Sequence, residues 1–168
     1  MVAPWEAVLT ELVRSRGAAL ARYATLLCGN ASDGEDLVQD ALTKVFSRFR
    51  RSHSEEGPEY AEAYVRRTIV TLYLDSYRRG RRWRAVQHLF EPAQVHHDES
   101  TSARVDVARA LTTLPPRQRA CVVLRYYADL TIEQTGDELG LATGTVKRYL
   151  HEANQRLAAV LQPEGERA

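Results

Sequence analysis

The sequence has little with which to carry out chemistry of its own. Its 168 residues include two cysteines, Cys28 and Cys121. They lie far apart, with no CxxC and no histidine at ligand spacing, so both read as buried thiols within apolar helical stretches. No glycine-rich phosphate loop, serine elbow or zinc-spaced set occurs. An enzyme such as a recombinase with a DNA-binding end would need a nucleophile or a metal cluster in the first half, and neither is visible. The expectation is a non-enzymatic protein with no catalytic residue, metal or cofactor. No stretch approaches the roughly 18 apolar residues that cross a bilayer. The start, Met1-Val2-Ala3-Pro4-Trp5-Glu6, lacks a basic run followed by an apolar core. Both observations predict a cytoplasmic chain that does not meet a membrane. No strand pattern and no internal repeat appear.

Net charge is also scarce, at +1, but it is segregated, and local charge sets affinity for phosphates. Apolar residues make up 44%, enough for packed cores and too many for wholesale disorder. The length suits one domain or two small ones.

Helical periodicity dominates what is present. Trp5 to Leu27 carries an apolar stripe, with a possible irregularity at Gly17 and stop signals at Gly29 and Asn30. Ser32-Asp33-Gly34-Glu35 fits a capping box opening a second helix, whose apolar face includes Leu37, Val38, Val45, Phe46 and Phe49. Arg51 to Pro58 reads as a loop. A third helix is predicted over Glu59–Arg79, with Tyr60, Tyr64, Val65, Ile69, Leu72 and Tyr73 as apolar contacts and a basic end. From Ala85 to Arg104 periodicity fails and polar, locally acidic residues take over, as expected of a linker between domains. His96-His97-Asp98-Glu99 falls there and reads as flexible polar linker in preference to a metal site. The last third is helical: Val105–Leu114, a helix opened by Pro115 and Pro116, a helix capped by Thr131-Ile132-Glu133-Gln134 and ended by Gly140, and a final helix from near Thr145. The fold class is therefore all-α, as two small helical domains spanning 1–84 and 105–163, joined by the 85–104 linker and followed by a 164–168 tail.

Three patterns carry chemistry. Thr131 to Leu157 matches a helix-turn-helix, with Gly136 allowing the two helices to approach closely. Its second helix would offer Thr145, Lys147, Arg148, His151 and Gln155 to a major groove; an ordinary helical hairpin with a charged outer face is the plainer alternative. Arg78, Arg79, Arg81, Arg82 and Arg84 surround Trp83 near Tyr77, a mixture of charge and flat rings that suits single-stranded DNA or, more simply, a solvated basic helix end. Asp36, Gln39 and Asp40 share one helical face and could pair with basic residues of a partner protein, or simply face solvent.

Taken in order, these blocks resemble the extracytoplasmic-function (group 4) sigma factors of RNA polymerase, in an arginine-rich style similar to the actinobacterial SigE-like branch. Asp33-Gly34-Glu35-Asp36-Leu37-Val38-Gln39-Asp40-Ala41 looks like that family's core-binding helix. Ala63 to Val70 and Tyr77 to Trp83 look like its promoter-melting and minus-ten segment. Leu114-Pro115-Pro116-Arg117-Gln118-Arg119 and Leu139-Gly140 through Gly144-Thr145-Val146-Lys147 look like the domain that reads the minus-thirty-five element.

The resemblance implies an alternative sigma factor, which binds core RNA polymerase and directs promoter recognition, melting and initiation. Asp36, Gln39 and Asp40 would contact the coiled coil of the largest polymerase subunit, with the flap as a further docking point. Thr71, Tyr73, Asp75, Arg78, Arg79, Arg81, Arg82 and Trp83 would hold the separated minus-ten strand. Thr145, Lys147, Arg148, His151 and Gln155 would lie on the minus-thirty-five element, and the acidic linker would thread the RNA-exit path. An anti-sigma factor is a further possible partner. Tyr149 and Glu152 depart from the basic or small polar residues such a recognition helix often carries, and a glutamate near DNA is repelled by phosphate unless it accepts from a cytosine amine. Packing the two DNA-reading faces against each other, or against an inhibitor, would keep the free protein inactive. The alternative reading is a polymerase-independent helix-turn-helix regulator.

Overall fold

A computed structural model describes residues 4–52, 58–86 and 102–161, with side chains described for 5–50, 60–80 and 107–161. Every regular element among them is helical: α1 (Pro4–Cys28), α2 (Ala31–Ser52), α3 (Pro58–Val86), α4 (Ser102–Thr112), α5 (Pro116–Val122), a π turn (Val123–Tyr127), α6 (Ile132–Leu139) and α7 (Thr143–Leu161). Most of the 85–104 linker, the His96–Glu99 run, the centre of the expected 51–58 loop and the 164–168 tail lie outside the described residues.

Helices α1, α2 and α3 pack side by side because each keeps one apolar stripe. Leu12, Leu20, Tyr23 and Leu27 come from α1, Val38, Ala41, Val45 and Phe49 from α2, and Ala61, Val65, Ile69 and Tyr73 from α3. In the second half, Ala120, Leu124, Val146, Leu150 and Ala153 bury the inner faces of α5, the π turn and α7. The two sets form one continuous buried cluster running from Leu9 to Ala153, because α1 also touches α4, α5 and the π turn.

Several local expectations change. Helix α2 is capped by Asn30, not Ser32: the Asn30 Oδ1 accepts from the Asp33 backbone N–H at 2.8 Å, and its Nδ2 donates to Asp33 Oδ2 at 2.7 Å. Helix α1 runs unbroken through Gly17. Helix α3 passes Arg79 and Gly80 and continues to Val86; Gly80 costs helix propensity of about 1 kcal/mol but does not stop it. Helix α4 starts and ends a few residues before the expected Val105–Leu114, and α7 starts at Thr143. Val13, Phe46 and Tyr60, expected on apolar faces, are exposed; Phe46 meets Trp5 edge to face at 4.6 Å.

The π turn had no signal in the sequence. The Ala128 N–H reaches back to the Val123 carbonyl at 3.0 Å, an i to i+5 bond that inserts one residue into the helical path. Leu124 stays in the core, while Tyr126 and Tyr127 project outward.

Candidate nucleic-acid interface

The helix-turn-helix forms as the sequence predicts. The Gln134 N–H donates to Thr131 Oγ1 at 3.1 Å and the Thr131 N–H to Gln134 Oε1 at 2.9 Å, which completes the capping box. Gly140 closes α6 with φ of 63°, a left-handed residue whose place glycine fills without strain. Gly136 sits where an added Cβ would come within 2.6 Å of the Leu141 carbonyl oxygen. A hydrogen atom there lets the turn fold back tightly, and the Leu141 N–H donates to the Gly136 carbonyl at 2.9 Å.

Helix α7 buries Val146, Leu150 and Ala153 and turns Lys147, Arg148, His151 and Gln155 to solvent, with Thr145 half-buried beside them. This face is open, so mutual burial of the two DNA-reading faces does not occur. Glu152 is not aimed at a nucleic acid. Its Oε2 accepts from Gln118 Nε2 at 2.6 Å, tying α7 to α5, and Arg148 lies 3.9 Å from its other oxygen. Tyr149 is half-buried under the Arg148 guanidinium, 5.4 Å from the ring centre.

In the first half, Asp36, Gln39 and Asp40 are all exposed on α2. Asp40 also stands at one end of a groove of about 1190 Å³ between α2 and α3, which brings it together with Thr71 and Arg79. Sequence reasoning missed most of this groove's lining: Lys44, Arg48, Tyr60, Tyr64 and Arg67. Tyr64 packs against the core as its spacing predicts, edge to face on Phe49 at 5.8 Å, and carries Arg48 over its ring at 5.4 Å, whereas Tyr60 is exposed. Arginine stacked on one tyrosine beside a second, exposed tyrosine suits unstacked bases and phosphate together.

Among the other minus-ten candidates, Arg78 is exposed and Asp75 half-buried. Tyr73 is a correction: it is 2% exposed and packs edge to face on Tyr77 at 5.6 Å. Burial pushes its phenol well above its ordinary pKa, opposed by the Arg119 guanidinium, so it cannot touch a DNA strand in this arrangement. The side chains of Arg81, Arg82 and Trp83 lie outside the described ones; their backbone continues α3. Cys121 is buried as expected but Cys28 only half-buried; burial raises their thiols to about 12 and about 11, which disfavours the thiolate. No group of three or more His, Cys, Asp or Glu among the described residues could hold a metal ion, and no described helix is long and apolar enough to cross a membrane.

A helix-turn-helix behind a three-helix unit with a basic, aromatic groove has counterparts among known proteins. Residues 12–84 match the family described as Sigma-70 region 2, and residues 110–159 match Sigma-70, region 4. The class is thus that of sigma-70-type transcription initiation factors. Over 157 residues the chain is 36% identical to the ECF RNA polymerase sigma factor SigE of Mycolicibacterium smegmatis, covering 88% of this chain and 59% of that protein. It is 34% identical over 149 residues to the RNA polymerase sigma-E factor of Streptomyces coelicolor, covering 88% of this chain and 82% of that one. It is 32% identical over 165 residues to SigL of Mycobacterium tuberculosis, covering 95% and 92%. The chain belongs to the ECF RNA polymerase sigma factors. Its fold is shared with the sigma factor RpoE of Bartonella quintana, solved in complex with the anti-sigma factor NepR, with a TM-score of 0.70 at 23% identity over 97% of this chain and 99% of that one. It is shared also with CnrH, solved in complex with the cytosolic domain of CnrY, with a TM-score of 0.60 at 22% identity over 91% and 86%.

Proposed function

We propose that this sigma factor docks core RNA polymerase through Asp36, Gln39 and Asp40, holds the opened minus-ten strand along the α2–α3 groove, and reads the minus-thirty-five duplex with α7. The observation that carries the reading is the recognition helix: Lys147, Arg148, His151 and Gln155 are exposed on one face of α7 while the opposite face is buried. That is the geometry of a helix laid in a major groove by its outer face. The exposed acids of α2 are free to meet a basic partner surface, here the coiled coil of the largest subunit. The division of labour follows the units 1–84 and 105–163, with 85–104 as the tether. The flap would receive the second unit, and an anti-sigma factor would compete for these surfaces. The protein works as a cytoplasmic, non-catalytic specificity factor.

Two modest DNA contacts on one tether act through effective concentration, so neither needs high affinity alone. Run-off transcription with core polymerase and candidate promoters tests the reading. Initiation that depends on the added protein supports it. Tight duplex binding with no stimulation of polymerase at any promoter replaces it with the polymerase-independent regulator.

A further inference from the structure

The one acid of the recognition helix is engaged on both of its oxygens. Gln118 on α5 is 5% exposed, and its Nε2 donates to Glu152 Oε2 at 2.6 Å across 34 positions of sequence. A bond from an amide to a carboxylate is strong because the acceptor carries charge. It fixes a side chain that would otherwise turn freely at the edge of α7. The other oxygen faces Arg148, whose Nε lies 3.9 Å away, one turn earlier on the same helix. Tyr149 supplies a second surface, with the Arg148 guanidinium 5.4 Å from its ring centre.

We propose that Glu152, held by Gln118, is a positioning residue for promoter specificity: it fixes the direction of the Arg148 guanidinium so that this arginine reads a base edge in the major groove. The inference rests on the proposed placing of α7 on duplex DNA. The base is defined by its chemistry. Guanine is the one whose groove edge offers two acceptors, N7 and O6, to an arginine fork.

Distance and charge decide what the pair can do. At 3.9 Å it is beyond hydrogen-bond reach, so Glu152 orients the guanidinium without occupying the donors that a base needs. An arginine loses rotamer freedom when it binds, and one already oriented loses less. The penalty falls on affinity, since a half-buried carboxylate beside a phosphate backbone repels it wherever the helix lands. A residue that weakens binding to all sequences and sharpens the contact with one base raises discrimination. A strut between α5 and α7 alone would need no charge and no second oxygen turned to Arg148. The amide serves Glu152 although its own oxygen, Gln118 Oε1, is buried without a hydrogen-bond partner.

The test selects a preferred sequence from a library of randomised duplexes, using the full chain both alone and assembled with core polymerase. Binding is then measured to that duplex, to each of its single-base changes and to a scrambled duplex. Arg148→Ala is expected to lose about tenfold of the preference at one base pair. Gln118→Leu, which leaves every charge in place, and Glu152→Ala are each expected to lose about fivefold at that same pair and nothing elsewhere. Glu152→Ala should also bind the scrambled duplex about threefold more tightly, whereas damage to the fold would weaken both. Glu152→Gln keeps an oxygen for Gln118 and removes the charge, with an expected loss of about threefold; it decides alone if melting curves show that the other two do not fold. Full preference in Glu152→Gln and in every folded variant of the pair, with preference lost in Arg148→Ala, refutes the positioning role and leaves α7 as the reader. A uniform loss over all sequences in Arg148→Ala makes that residue a phosphate anchor and refutes the role as well. No preferred sequence in either format, or a preference untouched by Lys147→Ala with Arg148→Ala, removes α7 from the duplex and this inference with it.

Discussion

Arg119 and Leu27 are 92 residues apart in sequence and 2.7 Å apart in space, with a guanidinium N–H of Arg119 donating to the Leu27 carbonyl. The same side chain also reaches the carbonyls of Thr112 and Leu114 at 3.0 and 3.3 Å. One buried cation thus satisfies the ends of α1 and α4 and the turn before α5. Truncating it leaves three carbonyls short of a donor. Arg119→Ala is expected to lower unfolding free energy by about 3 kcal/mol, measured by urea denaturation. Arg119→Lys should fall between, since an ammonium lacks the planar fork that reaches several acceptors. A loss below about 0.5 kcal/mol for the alanine variant would show that the three bonds contribute little net stability.

Glu138 gives the chain a pH dependence of definite sign. Burial raises its pKa above the usual carboxylate value; Arg66 and Arg67 oppose the shift and Asp137 adds to it. With the folded pKa above the unfolded one, the folded state binds more protons between the two. Stability from this group is therefore present at low pH and lost as pH rises through the raised value. Glu138→Gln mimics the protonated form. It should be more stable than wild type at pH 7, with the difference closing towards pH 4.5. Denaturation midpoints of both proteins across that range check it, and a constant difference refutes the assignment.

The helix-turn-helix depends on the missing side chain of Gly136. In Gly136→Ala the Cβ must displace the Leu141 carbonyl, a main-chain atom that cannot swing aside. The expected cost is about 1–3 kcal/mol, together with weakened duplex binding through a misplaced α7. Circular dichroism melts and duplex anisotropy measure both effects. Wild-type values in both would mean that the turn relaxes freely.

Arg148 is exposed at the outer face of α7 and held loosely, 3.9 Å from Glu152. If it meets phosphate, Arg148→Ala should weaken duplex binding for all sequences alike and lower the salt slope by about 1. An unchanged slope with altered base preference would make it a reader of base edges instead.

Charge reversal on α2 addresses polymerase. Asp36 and Asp40 lie on the surface, clear of the buried Val38 and Ala41, so Asp36→Lys with Asp40→Lys should leave folding intact and abolish capture by core polymerase. Capture at the wild-type level would remove this face from the docking assignment.

The helices and their stripes were legible because periodicity and caps are local. Thr131 and Gln134 announce α6, and Gly140 its end. Asn30 took the cap expected of Ser32 because the two short polar residues stand two positions apart and either can accept from the helix amides. What could not be read was long-range. Nothing around Arg119 signals that its partner is Leu27, and nothing around Tyr60 and Tyr64 distinguishes aromatics that fill a core from aromatics that line a groove. Tyr73 shows the converse: its spacing with Val65, Ile69 and Leu72 marks it as an apolar contact, which its burial bears out, while its place on a DNA strand was implied by the resemblance alone. The π turn escaped because its extra residue leaves no mark in composition.

That turn sets the rotational phase of everything after it. Removing one residue from Val123–Tyr127 would restore ordinary helical pitch and swing Tyr127 by about 100°, away from Ala19. The extra residue therefore serves the packing of the two halves, since the hydroxyl that it delivers to Ala19 would not reach there from an unbroken helix.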